Sequence, residues 1–555
     1  MNKKRVALKK VPMHVKGLDL VLNGGIPIEK TTVIKGGAGC GKSVLAMEFA
    51  HRKVLEKAPC IVVNFEESKT EIQNNYLTLG WDFKKAEQDG LLFLLCPEMK
   101  PVVMAGGAFD PQAFKSIIED RAKKMGAKYL VMDAMDILLV LFADIRRQRE
   151  ILCDIEQWVR ENKFTCIITA KIWHNSQDHI FDPEILDYMV SCLIELDQRV
   201  VDQNLIRSLT VRKYRGSSYK SNEHPFVITD KGIGLVPVSG TEFRTGALGK
   251  HESVGVSEFD TALGGGIREK ACTIIAGPTG SGKSTLAALY AKQRTDEKKK
   301  VIYFSFDQSE GETTNNMAAV GIDLKTPIQD GRLLIRAAMI ESRDTEQHLV
   351  DAVHAIEAFV PAYVIVDTIS ACQRMGSSLS AFNYVIRLVS YCNKSGITTI
   401  LVNQTDSQTI EGLAGIMTFS MVDTIIRLSM RELASEINRL FMVIKSRGSA
   451  HSNQSLEFFI TGGGIAVRPP YDGVGDPLTG SARASQEMKD KLEELELRLE
   501  KSELERQILI VKSERNLDML KSQNRIDNLE AKIRDAETME KIMQSNKEEM
   551  RQQRR

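Results

Sequence analysis

Gly36-Gly37-Ala38-Gly39-Cys40-Gly41-Lys42-Ser43 decides the fold, because it returns 241 residues later as Gly277-Pro278-Thr279-Gly280-Ser281-Gly282-Lys283-Ser284. Both stretches fit G-x-x-x-x-G-K-[ST], the phosphate-binding P-loop. Its glycines let consecutive backbone N–H groups turn inward around phosphates, the lysine adds a reaching point charge, and the serine hydroxyl can ligate Mg²⁺. An apolar run, Thr31 to Ile34, enters the first loop, and helical spacing from Val44 to Leu55 follows it. The loop therefore closes on a helix N-terminus, where the dipole favours phosphate. The expected nucleotide contacts are Gly37, Ala38, Gly39, Cys40, Gly41, Lys42, Ser43 and Val44 in the first copy. In the second they are Thr279, Gly280, Ser281, Gly282, Lys283, Ser284 and Thr285, with ATP and Mg²⁺ as cofactors throughout.

The repetition extends beyond the loops. Asp19 to Ile26 is mirrored by Asp260 to Ile267, and Phe65-Glu66-Glu67-Ser68 by Phe306-Asp307-Gln308-Ser309, both at the same offset of 241 residues. The apolar strand Lys128 to Asp133 is echoed by Ala362 to Asp367, and Lys213-Tyr214-Arg215-Gly216 by Lys445-Ser446-Arg447-Gly448. Ordered correspondences of this kind point to an internal duplication of an α/β unit. The expected domains are 1–236 and 253–470, with linkers over 237–252 and 471–483 and a helical tail over 484–555.

Composition narrows the class. A chain of 555 residues with 43% hydrophobic content can build more than one core. Lys and Arg total 74 against 73 for Asp and Glu, which gives no electrostatic case for a protein that coats nucleic acid. The nine cysteines are scattered singly, without C-x-x-C or a Cys/His cluster at zinc spacing, as suits reduced thiols in a cytoplasm. Lys3, Lys4, Arg5, Lys9 and Lys10 make a basic start, but no signal-like apolar segment follows and no long apolar run occurs. A cytoplasmic protein without a membrane segment is expected.

Phosphoryl transfer needs positioning, Mg²⁺ and a group that orients or deprotonates the attacking water. In the first copy Ser43 and Asp133 are the candidate metal ligands, and Glu66 with Glu67 the candidate water activators, Glu66 as base and Glu67 as its support. In the second, Ser284 and Asp367 take the metal positions, but the carboxylate pair has become Asp307-Gln308. A shorter acid beside an uncharged amide predicts weaker or redirected water activation. Lys213 with Arg215, and Lys445 with Arg447, are candidate fingers acting on a neighbouring subunit's nucleotide; ordinary edge-strand charge is the alternative.

From Ala484 the chain becomes rich in Glu, Lys, Arg, Leu and Met. Leu492, Leu495 and Leu499, then Met519, Ile526, Leu529, Ile533 and Met543, follow the three-four spacing of a coiled-coil seam, interrupted between Leu504 and Leu517. A long charged helix that pairs with another chain is expected, against the alternative of a solvated single helix or partly disordered tail.

With these residues in place, the chain resembles the KaiC family of tandem RecA-like ATPases, whose best-known members run bacterial circadian clocks. The resemblance spans Val11 to Ile465 and rests on the paired P-loops, Phe65-Glu66-Glu67-Ser68, the two Lys-x-Arg-Gly segments and Pro225-Phe226-Val227-Ile228-Thr229-Asp230-Lys231-Gly232-Ile233. It implies two tandem RecA-like P-loop NTPase domains assembled as hexamers, with ATP held between subunits. A dodecamer joined through the coiled coil, and a KaiB-like or other signalling partner, would extend that assembly. It also implies phosphate transfer to an adjacent Ser-Thr pair, here matched by Phe419 and Ser420, so that Ser420 is the candidate phosphoacceptor. The expected function is an ATPase acting as a timer or switch, with Ser/Thr autokinase activity. The alternatives are a DNA-acting RecA-like motor and a ring that presents its tail to a partner.

Overall fold

The computed structural model describes residues 8–15, 17–97, 111–140, 142, 144–172, 186–187, 190–201, 204–237, 247–338, 344–375, 378–405, 421–433, 436–468, 480–514 and 522–553. The chain forms two compact units, each built on one sheet.

In the first unit nine strands lie in the spatial order Gly232–Leu235, His224–Thr229, Asn204–Tyr214, Cys192–Val201, Thr31–Gly36, Thr165–Lys171, Tyr129–Asp133, Cys60–Asn64 and Leu92–Leu95. From Cys192–Val201 to Leu92–Leu95 all neighbours are parallel; the other three strands add antiparallel. Parallel strands are covered on both faces, which is why they read as unbroken apolar runs. Val33, Ile61 and Val63 pack on one face with Trp158 and Ile118, while Ile34 and Val62 pack on the other with Leu45 and Phe49. The period-two alternation of a strand thus feeds two cores.

The second unit repeats the order strand for strand: Gly464–Arg468, Leu456–Thr461, Glu436–Ser446, Thr424–Leu433, Cys272–Gly277, Thr398–Gln404, Tyr363–Asp367, Val301–Ser305 and Leu333–Ala337. The duplication read from motifs therefore holds for the topology as well. Both acidic turns end in the same cap. Ser68 and Ser309 each accept the N–H three residues on, and Glu71 and Glu312 reach back to the cap N–H, a reciprocal capping box.

His51, on the helix Lys42–Leu55, stacks on Trp81 with ring centroids 5.3 Å apart. Burial, helped by Arg52, lowers its pKa to about 4 from 6.5. A histidine held neutral contributes stability that is complete above its unfolded value and is lost as pH falls through the folded one. The melting temperature should drop between pH 6.5 and about 4, and His51→Phe should flatten that slope; an unchanged slope in the variant would reject the assignment.

The tail forms two helices, Gly480–Glu514 and Ser522–Gln553. Lys501 Nζ lies 3.4 Å from Glu537 Oε1. Parallel helices would then put Glu514 and Ser522 about 40 Å apart, beyond the ~28 Å that the chain between them can span, so the pair is antiparallel. Ile508, Val511 and Ile526 are buried, and Leu497, Leu504, Leu529 and Ile533 half-buried. Ile526, Leu529 and Ile533 of the expected seam thus take inner positions in a pair made within the chain. Leu492, Leu495, Leu499 and Met543 stay exposed, and Met519 lies outside the described residues.

Candidate functional site

Each P-loop joins a central strand to a helix, Thr31–Gly36 to Lys42–Leu55 and Cys272–Gly277 to Lys283–Asp296. Gly41 and Gly282 hold the turn at φ 97° and 94°, in the left-handed region open to glycine. A Cβ on Gly41 would also meet Ile228 Cδ1 at 2.9 Å. Among the described residues, the backbone N–H groups of Gly39 to Ser43 have no backbone acceptor, which leaves a cradle of donors at a helix start. Lys42 and Lys283 fold over their own loops, donating to Gly37 O at 2.7 Å and Pro278 O at 2.6 Å. The donor set fits a polyphosphate.

Behind the first loop, Ser43 Oγ donates to Asp133 Oδ1 at 3.0 Å. Asp133 is buried and also accepts from Thr169 Oγ1 at 2.5 Å and Asn64 Nδ2 at 2.9 Å. Burial raises its carboxyl, opposed by the Thr169 and Ser43 hydroxyls. Asp367 repeats the position with other partners. Tyr303 OH donates to its Oδ2 at 2.5 Å, while Oδ1 is buried without a hydrogen-bond partner. Burial raises this carboxyl too, with Tyr303 and then Ser284 opposing. An orphaned carboxylate oxygen near a serine hydroxyl and a P-loop lysine fits the oxygen ligation of Mg²⁺.

Asn64 ties this acid to the neighbouring carboxylates. Its Oδ1 accepts the N–H groups of Glu66 at 2.8 Å and Glu67 at 2.7 Å, while its Nδ2 holds Asp133. Glu67 accepts from Asn75 Nδ2 at 2.9 Å, and burial pushes its carboxyl up. Glu66 is exposed, and its carboxylate has no hydrogen-bond partner among the described residues. The second copy differs at this point. Ser305 replaces Asn64 and donates to Gln308 O at 2.6 Å, and Gln308 Oε1 accepts from Asn316 at 3.3 Å. Asp307 is engaged on both oxygens, by Arg374 Nη2 at 2.7 Å and Thr368 Oγ1 at 3.1 Å.

The Lys-x-Arg pairs lie elsewhere. Gly36 pairs with Leu196 and Leu196 with Leu209, whereas Lys213 pairs with Leu193, towards the strand start. Four strand residues are ~13 Å, directed away from the loop. Lys213 donates to the Asp187 carbonyl and Lys445 to Val422 O at 2.8 Å; burial, then the nearby arginine, lowers each ammonium. Arg215 and Arg447 are exposed beside them. The same register places Lys445 opposite Ile425, away from Gly277. Neither pair meets its own P-loop.

Sequence reasoning missed the residues that do. Gln198 Nε2 donates to Ala38 O at 2.8 Å, Arg207 Nε to Gly39 O at 3.4 Å and Arg439 Nε to Gly280 O at 3.0 Å. Arg207 and Arg439 are separated by 232 residues, the offset that also separates Lys213 from Lys445, so the repeat itself carried the signal. Ser420 lies outside the described residues.

A profile of the family described as "ATPase: KaiC" matches residues 11–239 and 253–472. The chain belongs to the KaiC family. Its two sheets are the two RecA-like ATPase domains of a KaiC protein. It is similar to the circadian clock protein KaiC2 of Synechocystis sp., 30% identical over 502 residues that cover 88% of this chain and 87% of that one. It is also similar to the circadian clock oscillator protein KaiC of Synechococcus elongatus, 27% identical over 488 residues, 86% and 93% of the two chains. KaiC3 of Synechocystis sp. is 26% identical over 482 residues, 85% and 94%. Among the described residues no helix is long and apolar enough to cross a membrane.

Proposed function

We propose that this KaiC-type chain is a ring-forming ATPase used as a timer or signalling switch, with domains at 1–236 and 253–470. The first domain carries most of the turnover, and the second mainly binds nucleotide. The observation that carries this reading is the separation of each P-loop from its Lys-x-Arg pair along the sheet. A site completed only by a neighbour requires assembly. Ser43 with Asp133, and Ser284 with Asp367, would hold Mg²⁺, which supplies charge neutralisation to the phosphates. Glu66, exposed beside the polar cluster of Asp133 and without a side-chain partner among the described residues, would take a proton from water, and Glu67, fixed by Asn75, would support it. Light scattering of the full chain should show a low mass without nucleotide and a hexamer-scale mass with Mg-ATP; a monomer at saturating Mg-ATP would sink the ring.

The ion pair on Asp307 accounts for a quiet second domain. A carboxylate held on one oxygen by Arg374 and on the other by Thr368 has neither oxygen free to orient a water. In a chain already carrying Glu66→Gln and Glu67→Gln, Arg374→Ala should raise the residual turnover about threefold or more. A further fall would make Arg374 a supporting group instead. Autophosphorylation on Ser420 remains part of the proposal, tested by phosphopeptide mapping after incubation with Mg-ATP.

A further inference from the structure

The helix Gly480–Glu514 carries two apolar lines. Leu497, Leu504, Ile508 and Val511 form the inner line, half-buried to buried in the helical pair. Met488, Leu492, Leu495 and Leu499 follow one another at steps of four, three and four and are 68%, 51%, 53% and 63% exposed. Leu497 stands two residues from both Leu495 and Leu499, about 200° round the helix, so the outer line faces away from the second tail helix. One exposed apolar side chain needs no explanation, but four in the a/d rhythm of a helical seam do.

The residues beside this line say what covers it. With Leu492 and Leu499 at a and Met488 and Leu495 at d, Lys491 and Arg498 fall at g, and Glu496 and Glu503 at e, all exposed. In a parallel, in-register pair each g residue faces the e residue five places on in the other helix. Lys491 would then meet Glu496 of a second copy, and Arg498 its Glu503, each pair twice. An antiparallel pair sets g against g, where Lys491 and Arg498 meet like charge, and e against e, where Lys489 is the one cation beside Glu496 and Glu503. Arg498 now pairs with Glu494 of its own helix at 3.1 Å. An exposed i,i+4 pair contributes little in water and is readily exchanged.

We propose that the outer line Met488–Leu499 docks in parallel and in register against the same line of a second copy of this chain. The pairing places both sets of ATPase domains at one end, so it links neighbours within one assembly and does not join two assemblies tail to tail. Two heptads are marginal in isolation, and the contact draws on the effective concentration that the rest of the chain provides.

The test uses the full chain with Mg-ATP in a Cys153→Ser background, Cys153 being the one exposed thiol among the described residues. Met488→Cys and Leu499→Cys, made separately and mildly oxidised, should each give a covalent dimer on a non-reducing gel, and Glu493→Cys, on the outer surface, should not. Lys491→Glu with Arg498→Glu should lower the dimer yield about tenfold, and adding Glu496→Lys with Glu503→Lys should restore it. All these positions are exposed, and helicity by circular dichroism should be unchanged. Cross-linking at only one of the two positions, or at neither, overturns the proposal. So does equal cross-linking at Glu493→Cys, or a yield indifferent to charge reversal. Light scattering on the same samples reports the ring separately.

Discussion

Replacing Glu66 and Glu67 together by Gln should lower steady-state ATP turnover of the full chain by about 100-fold or more, with ATP affinity within about twofold of the parent. The substitution keeps the shape of the turn, because Asn64 Oδ1 holds it through the backbone N–H groups of both residues. A glutamine at 67 can still accept from Asn75, as Gln308 accepts from Asn316 in the second domain. Only the charge is lost. The two single changes should be unequal: Glu66→Gln removes most of the activity, since Glu66 is exposed and unengaged, while Glu67→Gln removes less. Turnover is measured by phosphate release and affinity by a fluorescent nucleotide. Hydrolysis that survives the double change would show that the base lies elsewhere, with Asp136 the next candidate. That carboxylate is buried, accepts the Lys171 N–H at 3.1 Å and is pushed up by burial.

Much of this was legible from the chain alone, and what was not has a common cause. The P-loops, the acids that close the apolar strands and the acidic turns are local patterns in which spacing fixes geometry, and the repeat doubled each signal. The partners of Asp133 are not local: Asn64 and Thr169 reach it from two neighbouring strands, and their types say only that they can hydrogen-bond. Arg374 comes to Asp307 from 67 residues away, on a short helix with no motif of its own. In the tail, the interruption between Leu504 and Leu517 was visible, but periodicity alone cannot say whether a seam closes within one chain or between two. The turn-back of the second helix decides it for Ile526, Leu529 and Ile533, and leaves Leu492, Leu495 and Leu499 for another surface.

Arg215→Ala should reduce turnover about 10³-fold, the scale of a lost arginine finger, and Lys42→Ala should be at least as severe; the informative sample is their mixture. If Arg215 acts across a subunit interface, an Arg215→Ala subunit still offers an intact P-loop, and a Lys42→Ala neighbour an intact finger. In rings assembled at random from equal amounts, about a quarter of the first-domain interfaces combine the two, and turnover should recover to that fraction of the parent. If Arg215 acted within its own chain, no interface in the mixture would be whole and turnover would stay at the single-variant level. The strand register argues for the first outcome, because Lys213 and Tyr214 pair with Leu193 and Cys192 at the start of a strand whose Leu196 lies beside the P-loop's Gly36. Reaching back would take Arg215 over more than four residues of sheet, ~13 Å along the strand and more than its side chain can cover. The Lys445–Arg447 pair obeys the same register in the second sheet. The same mixing with Arg447→Ala and Lys283→Ala, read by nucleotide retention instead of turnover, separates a finger that serves hydrolysis from one that serves binding.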